Sequence, residues 1–164
     1  MARWLYLMRH AQSADKQHGQ HDKDRELTST GIGEAATIGH FLKKNNYDVD
    51  LIVSSAARRA ESTATVVHGI LNLQSEITIN NELYEASVRN LVEAVNGLDD
   101  DFKNILMIGH NPYISYFAEY LTKAEIGGME TAGLVSIRFE ISKWQEVTEG
   151  IGSFENYIHP SIIE

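Results

Sequence analysis

The sequence predicts an α/β fold, a three-layer α/β/α sandwich with a mostly parallel central sheet. Three observations carry this expectation. Short apolar segments alternate with segments of helical period along most of the chain. Two of the apolar segments, "LIVSS" and "NILMIG", have almost no polar interruption, as strands covered on both faces require. At 164 residues the chain suffices for one well-buried core and is too short for two, so residues 1–164 are expected to form a single domain.

The first strand is read over 3–8, "RWLYLM", ahead of a loop rich in charge, His and Gln. A helix follows Thr28 or Thr30. Ile32, Ala35, Ala36, Ile38, Gly39 and Leu42 recur at helical spacing, and Lys43 and Lys44 suit its C-terminal end. Residues 49–55 form the second strand and 58–73 the second helix. "EITIN" is a short strand, and 87–98 is a compact amphipathic helix ending near Gly97. "NILMIG", 104–109, is a further buried strand, and Pro112 starts the next helix at its first position. The alternating run 133–141 reads as a final, less buried strand, and the tail after Trp144 receives no assignment.

Composition excludes several classes. Hydrophobic residues make up 43 % and charged residues 23 %, ordinary for a globular domain. No apolar run reaches the roughly 18 residues of a membrane-spanning helix. The short opening "MARWLYLM" runs directly into Arg9 and His10 with no cleavage-site pattern, so no signal peptide is expected. The chain has no cysteine, which removes disulfides, thiol nucleophiles and thiolate metal sites and fits a cytoplasmic location. A net charge of −9 argues against nucleic-acid binding, so an anionic ligand would need a local pocket of individually placed arginines.

Such a pocket is legible at the strand ends. In open α/β sheets ligands bind beyond the carboxyl ends of the strands. Here one strand runs into Arg9 and His10, a second into Arg58 and Arg59, and a third into His110. Arginine presents a planar fork that suits phosphate oxygens. Nearby guanidinium charge disfavours a protonated His10, and a neutral imidazole with one bare nitrogen can attack phosphorus. The arginines and His110 would then stabilise charge on the equatorial oxygens.

"LMRHAQS", "SSAARRAESTA" and "IGHNP" resemble, in order and spacing, the three signatures of the histidine phosphatase superfamily, the phosphoglycerate-mutase-like fold. "DRELTSTG" is similar to a further Arg-x-Leu-Thr-x-x-Gly element of that family. The resemblance implies that His10 is the phospho-accepting nucleophile, with Arg9, Arg59 and His110 as phosphate-binding partners. Arg59 rather than Arg58 is in register, with Ser55 four before it and Ala60, Thr63 and Ala64 after it. Glu85 falls where the family's proton donor would lie, but the residues that usually follow are absent, and Glu82 is a rival. No metal or other cofactor is implied.

The branch is suggested by length. About seven residues separate "EITIN" from the following helix, too few for a lid, so an open, shallow site is expected. This minimal form resembles the bacterial phosphohistidine phosphatases. It implies as partner a phosphorylated protein, a signalling or phosphocarrier domain bearing phosphohistidine. A broad phosphomonoesterase acting on small metabolites and a non-catalytic phosphate-binding module are the alternatives. His18 and His21, with Asp15, Asp22 and Asp24, lack a metal-binding frame and read as a solvated loop near the site mouth. Tyr113, Tyr116, Phe117 and Tyr120 read as packing at helical spacing.

Overall fold

The computed structural model describes residues 2–163, and the two terminal residues of the expected domain lie outside them. Six strands form one sheet: β1 (Ala2–Arg9), β2 (Leu51–Ser55), β3 (Thr78–Asn80), β4 (Asn104–Gly109), β5 (Leu134–Glu140) and β6 (Ser153–Ile158). Four helices accompany them: α1 (Ser29–Lys44), α2 (Arg58–Leu71), α3 (Val88–Asn96) and α4 (Tyr113–Thr122). The strand order is β3-β2-β4-β1-β5-β6. The pairings from β3 through β1 are parallel, and those of β5 with β1 and β6 are antiparallel.

Alternation along each strand divides the core into two layers. Leu5, Leu7, Val53, Ile105 and Met107 pack on the side of α3 and α4. Tyr6, Met8, Ile52, Leu106 and Ile108 pack on the other side with Ala35, Ile38, Ala60 and Ala64 of α1 and α2. Every residue of β2 is buried, the apolar Leu51–Val53 and the serines at 54 and 55 alike.

Local chemistry sets the helix ends. Thr28 caps α1, its Oγ1 accepting from the Gly31 amide at 2.9 Å. Gly31 itself is demanded by packing, because a Cβ there would lie 2.0 Å from the Gln12 carbonyl oxygen. This contact presses the loop after β1 against the start of α1. Ser87 and Asn90 form a reciprocal capping box on α3. Pro112 sits one position before α4 rather than at its first residue.

Two expectations need correction. β5 is not less buried than β1 before it, because it lies between β1 and β6 with core on both faces. It is also not the final strand. β6 follows it as the edge strand, and its polar sequence "SFENYI" matches a segment with one neighbour and exposed residues. Between them Trp144 is wholly buried, donating from Nε1 to the Phe102 carbonyl at 2.8 Å under the Arg3 guanidinium.

Candidate active site

β1, β2 and β4 run parallel and end level, with Arg9 paired to Gly109 and Ser54 to Ile108. The next residues of the three strands, His10, Ser55 and His110, therefore meet at one sheet edge. His10 is 8 % exposed and its backbone is pinned on both sides. Its amide donates to the Gly109 carbonyl, and its carbonyl accepts from the Ala132 amide. The ring lies 2.7 Å through Nδ1 from the Ala11 carbonyl oxygen. A carbonyl can only accept, so Nδ1 carries the hydrogen and Nε2 is a bare lone pair. Burial pushes His10 down to about 4 against the opposing pull of the Ala11 carbonyl, and the Arg59, Arg9 and Arg25 charges push the same way as burial.

Arg59 lies in the first turn of α2 and is 7 % exposed. One turn later Thr63 Oγ1 donates to the Arg59 carbonyl at 2.7 Å and accepts from the Ala11 amide at 3.0 Å. The Arg-Ala-x-x-Thr spacing thus ties the arginine's helix to the backbone beside His10. Arg58, one residue earlier, points to the surface and pairs with Glu26.

His110 follows β4. Its ring centroid is 5.0 Å from that of His10, and Tyr84 meets it edge-on at 5.7 Å. His110 Nε2 bonds to Ser55 Oγ at 2.8 Å, while Nδ1 is buried without a partner. Burial, the neighbouring His10 and the Arg59 charge push it down to about 3. Arg9 donates from Nη1 to the Met129 carbonyl at 2.9 Å, and its Nε is likewise buried and unpartnered. Unpartnered buried polar atoms are rare, and these two fall on the residue before His10 and on the ring nearest to it.

The four residues expected at the site, Arg9, His10, Arg59 and His110, converge at this edge. Glu85 takes no part in the hydrogen bonds around them. It is exposed, as is Glu82, and neither carboxylate hydrogen-bonds to a described residue. Between them Tyr84 turns inward instead, donating from its hydroxyl to Asp22 Oδ2 at 2.6 Å.

Asp22 lies, as expected, in a partly exposed loop beside the site, but its tie to Arg59 was not foreseen from the sequence. Its carbonyl and Oδ2 accept from Arg59 at 2.8 and 3.0 Å, and its Oδ1 accepts from Arg25 at 3.0 Å. The Tyr84 hydroxyl foremost, then Arg25 and Arg59, hold this carboxylate well below the usual range, although desolvation opposes them. Arg25 also donates to the Ala14 carbonyl and Ser13 Oγ, folding the long loop back on itself. The available signal was the "DRELTSTG" element, three of whose residues now have physical roles: Arg25 ties the loop, Thr28 caps α1 and Gly31 admits the Gln12 carbonyl. Among the described residues no group of three or more His, Asp or Glu side chains is placed to hold a metal ion.

The sequence matches the model of the histidine phosphatase superfamily, branch 1, over residues 5–94, the stretch that carries Arg9, His10 and Arg59. The chain belongs to the histidine phosphatase superfamily. An uncharacterised protein of Mycobacterium tuberculosis (strain CDC 1551 / Oshkosh) is 34 % identical over 125 residues, 76 % of this chain and 75 % of that protein. The phosphohistidine phosphatase SixA of Escherichia coli (strain K12) is 28 % identical over 134 residues, 80 % and 82 % of the two chains. A solved structure of the protein histidine phosphatase SixA complexed with tungstate superposes with a TM-score of 0.82 at 25 % identity, covering 96 % of this chain and 97 % of that one. This histidine phosphatase is therefore of the short, SixA-like form, with a phosphoglycerate-mutase-like fold.

Proposed function

We propose that this chain, acting as one catalytic domain, is a phosphatase that takes a phosphoryl group from phosphohistidine on a partner protein and passes it to water through His10. His10 Nε2 attacks phosphorus, a P–N bond forms to His10, and the P–N bond to the substrate imidazole breaks. The departing imidazole takes its proton from solvent. Water then attacks phospho-His10, releasing inorganic phosphate and restoring the neutral ring. No metal or organic cofactor takes part in either step. Arg9 and Arg59 hold the phosphoryl oxygens, and His110 donates to them as charge develops.

The observation that carries this reading is the bare Nε2 of His10, whose ring lies 5.0 Å from that of His110 and in the field of the Arg59 and Arg9 charges. The tungstate held by the SixA relative is a tetrahedral oxyanion, the shape arginines suit.

The choice of phosphohistidine rests on proton supply. An ester's alkoxide leaving group needs a carboxylic acid nearby. Glu82 and Glu85 stand outside the hydrogen-bonded cluster, and Asp22 is held ionised by Tyr84, Arg25 and Arg59. Imidazole leaves with less help, and P–N to P–N exchange is nearly balanced in energy. The seven residues between β3 and α3 leave the site open to a side chain presented by another protein.

Turnover of a phosphohistidine protein and of small phosphomonoesters, measured side by side in the native protein and in Glu85→Gln, tests this. The phosphohistidine protein is expected to be the better substrate and Glu85→Gln to leave its rate unchanged. Preferred turnover of esters, with a loss of about 10²–10⁴-fold in Glu85→Gln, would instead establish the metabolite phosphatase with Glu85 as its acid.

A further inference from the structure

Ser55 is the last residue of β2 and has no exposed surface. Its Oγ accepts from the Ala57 amide at 3.2 Å and lies 2.8 Å from His110 Nε2. A serine hydroxyl has one hydrogen to donate. Among the described residues, His110 Nε2 is the one acceptor that hydroxyl reaches. An Nε2–H tautomer would leave both the hydroxyl hydrogen and Nδ1 unpaired, whereas a hydroxyl donating to Nε2 leaves only Nδ1 so. At about 1–3 kcal/mol for each buried unpaired group, the hydroxyl donates and Nε2 is the lone pair. A neutral imidazole carries a single N–H. On His110 it therefore sits at Nδ1, the buried nitrogen without a protein partner.

His10 is held the other way round. Its Nδ1–H is given to the Ala11 carbonyl, and its Nε2 is bare. Two neutral rings, with centroids 5.0 Å apart, thus keep opposite free nitrogens, a lone pair on one and an N–H on the other. We infer that Ser55 is a positioning residue that fixes His110 as the Nδ1–H tautomer, so that a neutral imidazole, not an imidazolium, donates to the phosphoryl oxygens. What that N–H meets rests on the phosphatase reading above; the tautomer itself does not.

The arrangement has a chemical rationale. A positively charged His110 would strengthen phosphate binding, but it would sit against a site already charged by Arg9 and Arg59. It would also add an acidic proton beside a nucleophile that must remain unprotonated. A neutral donor stabilises developing charge without that competition. The alternative tautomer would turn a lone pair of His110 toward the anion and repel it.

Nitrogen-15 NMR of the native protein at pH 7 tests the tautomer directly, with the His110 signals identified by their loss in His110→Gln. The expected signature is a protonated Nδ1 and a bare Nε2. In Ser55→Ala the ring should redistribute toward Nε2–H. Its kcat should fall on the order of tenfold to a hundredfold with a smaller change in KM, less than the roughly 10²–10³-fold cost of deleting an oxyanion donor. Ser55→Thr keeps the hydroxyl and should keep the native signature. A native His110 found as Nε2–H or as imidazolium would overturn the inference, as would a Ser55→Ala spectrum identical to the native one. If the native tautomer is as expected but no phosphoryl donor is turned over, the phosphatase reading fails and the role of Ser55 in setting the tautomer stands.

Discussion

His10 follows an arginine that repels protons from it, and the site turns this to use. The guanidinium charges and burial act in the same direction on His10, and His110 is depressed for similar reasons. Both rings are neutral at pH 7 when folded and titrate near 6.5 when unfolded. Between about pH 6.5 and pH 4 the unfolded chain therefore binds protons that the folded chain does not, so this stability is present above 6.5 and is lost on acidification. Urea unfolding at pH 7, 6 and 5 should show falling stability, and replacing both histidines by Asn should flatten that slope. The kcat/KM for phosphoryl transfer should likewise hold through pH 6.5 and decline only toward pH 4. A kinetic midpoint near 6.5 would contradict the environment described for His10. At this scale Arg9, His10, Arg59 and His110 were legible in the sequence because each is placed by a strand end or by the first turn after one. Asp22 and Tyr84 were not, since they reach Arg59 from irregular segments whose course no periodicity dictates. Ser55 was legible only as a motif position, its bond to His110 spanning 55 residues.

The elements that place the site are the ones whose sequences leave least choice. β2 and β4 each carry a continuous apolar stretch with polar residues only at one end, and burial on both faces follows from that pattern. The short polar strand β6 has no such pattern, because an edge strand with exposed residues is selected neither for alternation nor for continuous hydrophobicity. Trp144 was equally silent. One tryptophan in a polar stretch does not announce that it closes the core beneath Arg3 and the Phe102 carbonyl. Its replacement by alanine should cost about 3–5 kcal/mol in chemical denaturation, the range for removing a large buried aromatic. Because Trp144 packs with α3 and Phe139, away from His10, kcat per folded molecule should be unchanged. A loss of stability under 1 kcal/mol would mean that the packing of this segment is not as described.

For the molecule as a whole, topology brings three distant sequence signatures to one end of the sheet. Parallel β1, β4 and β2 put their carboxyl ends side by side, and the antiparallel pair β5–β6 completes the sheet beyond β1. Arg9, Arg59, His10 and His110 thus form a local cluster within a protein of net charge −9, as a site for an anion in an acidic chain requires. The central claim, that the phosphoryl group passes through His10, is tested by incubating the protein with a phosphohistidine-bearing domain, quenching within a turnover and mapping the label. An acid-labile phosphoryl group on His10, absent in His10→Ala together with turnover, is the expected result. Undiminished turnover by His10→Ala, or label on any other residue of the native protein, would contradict it.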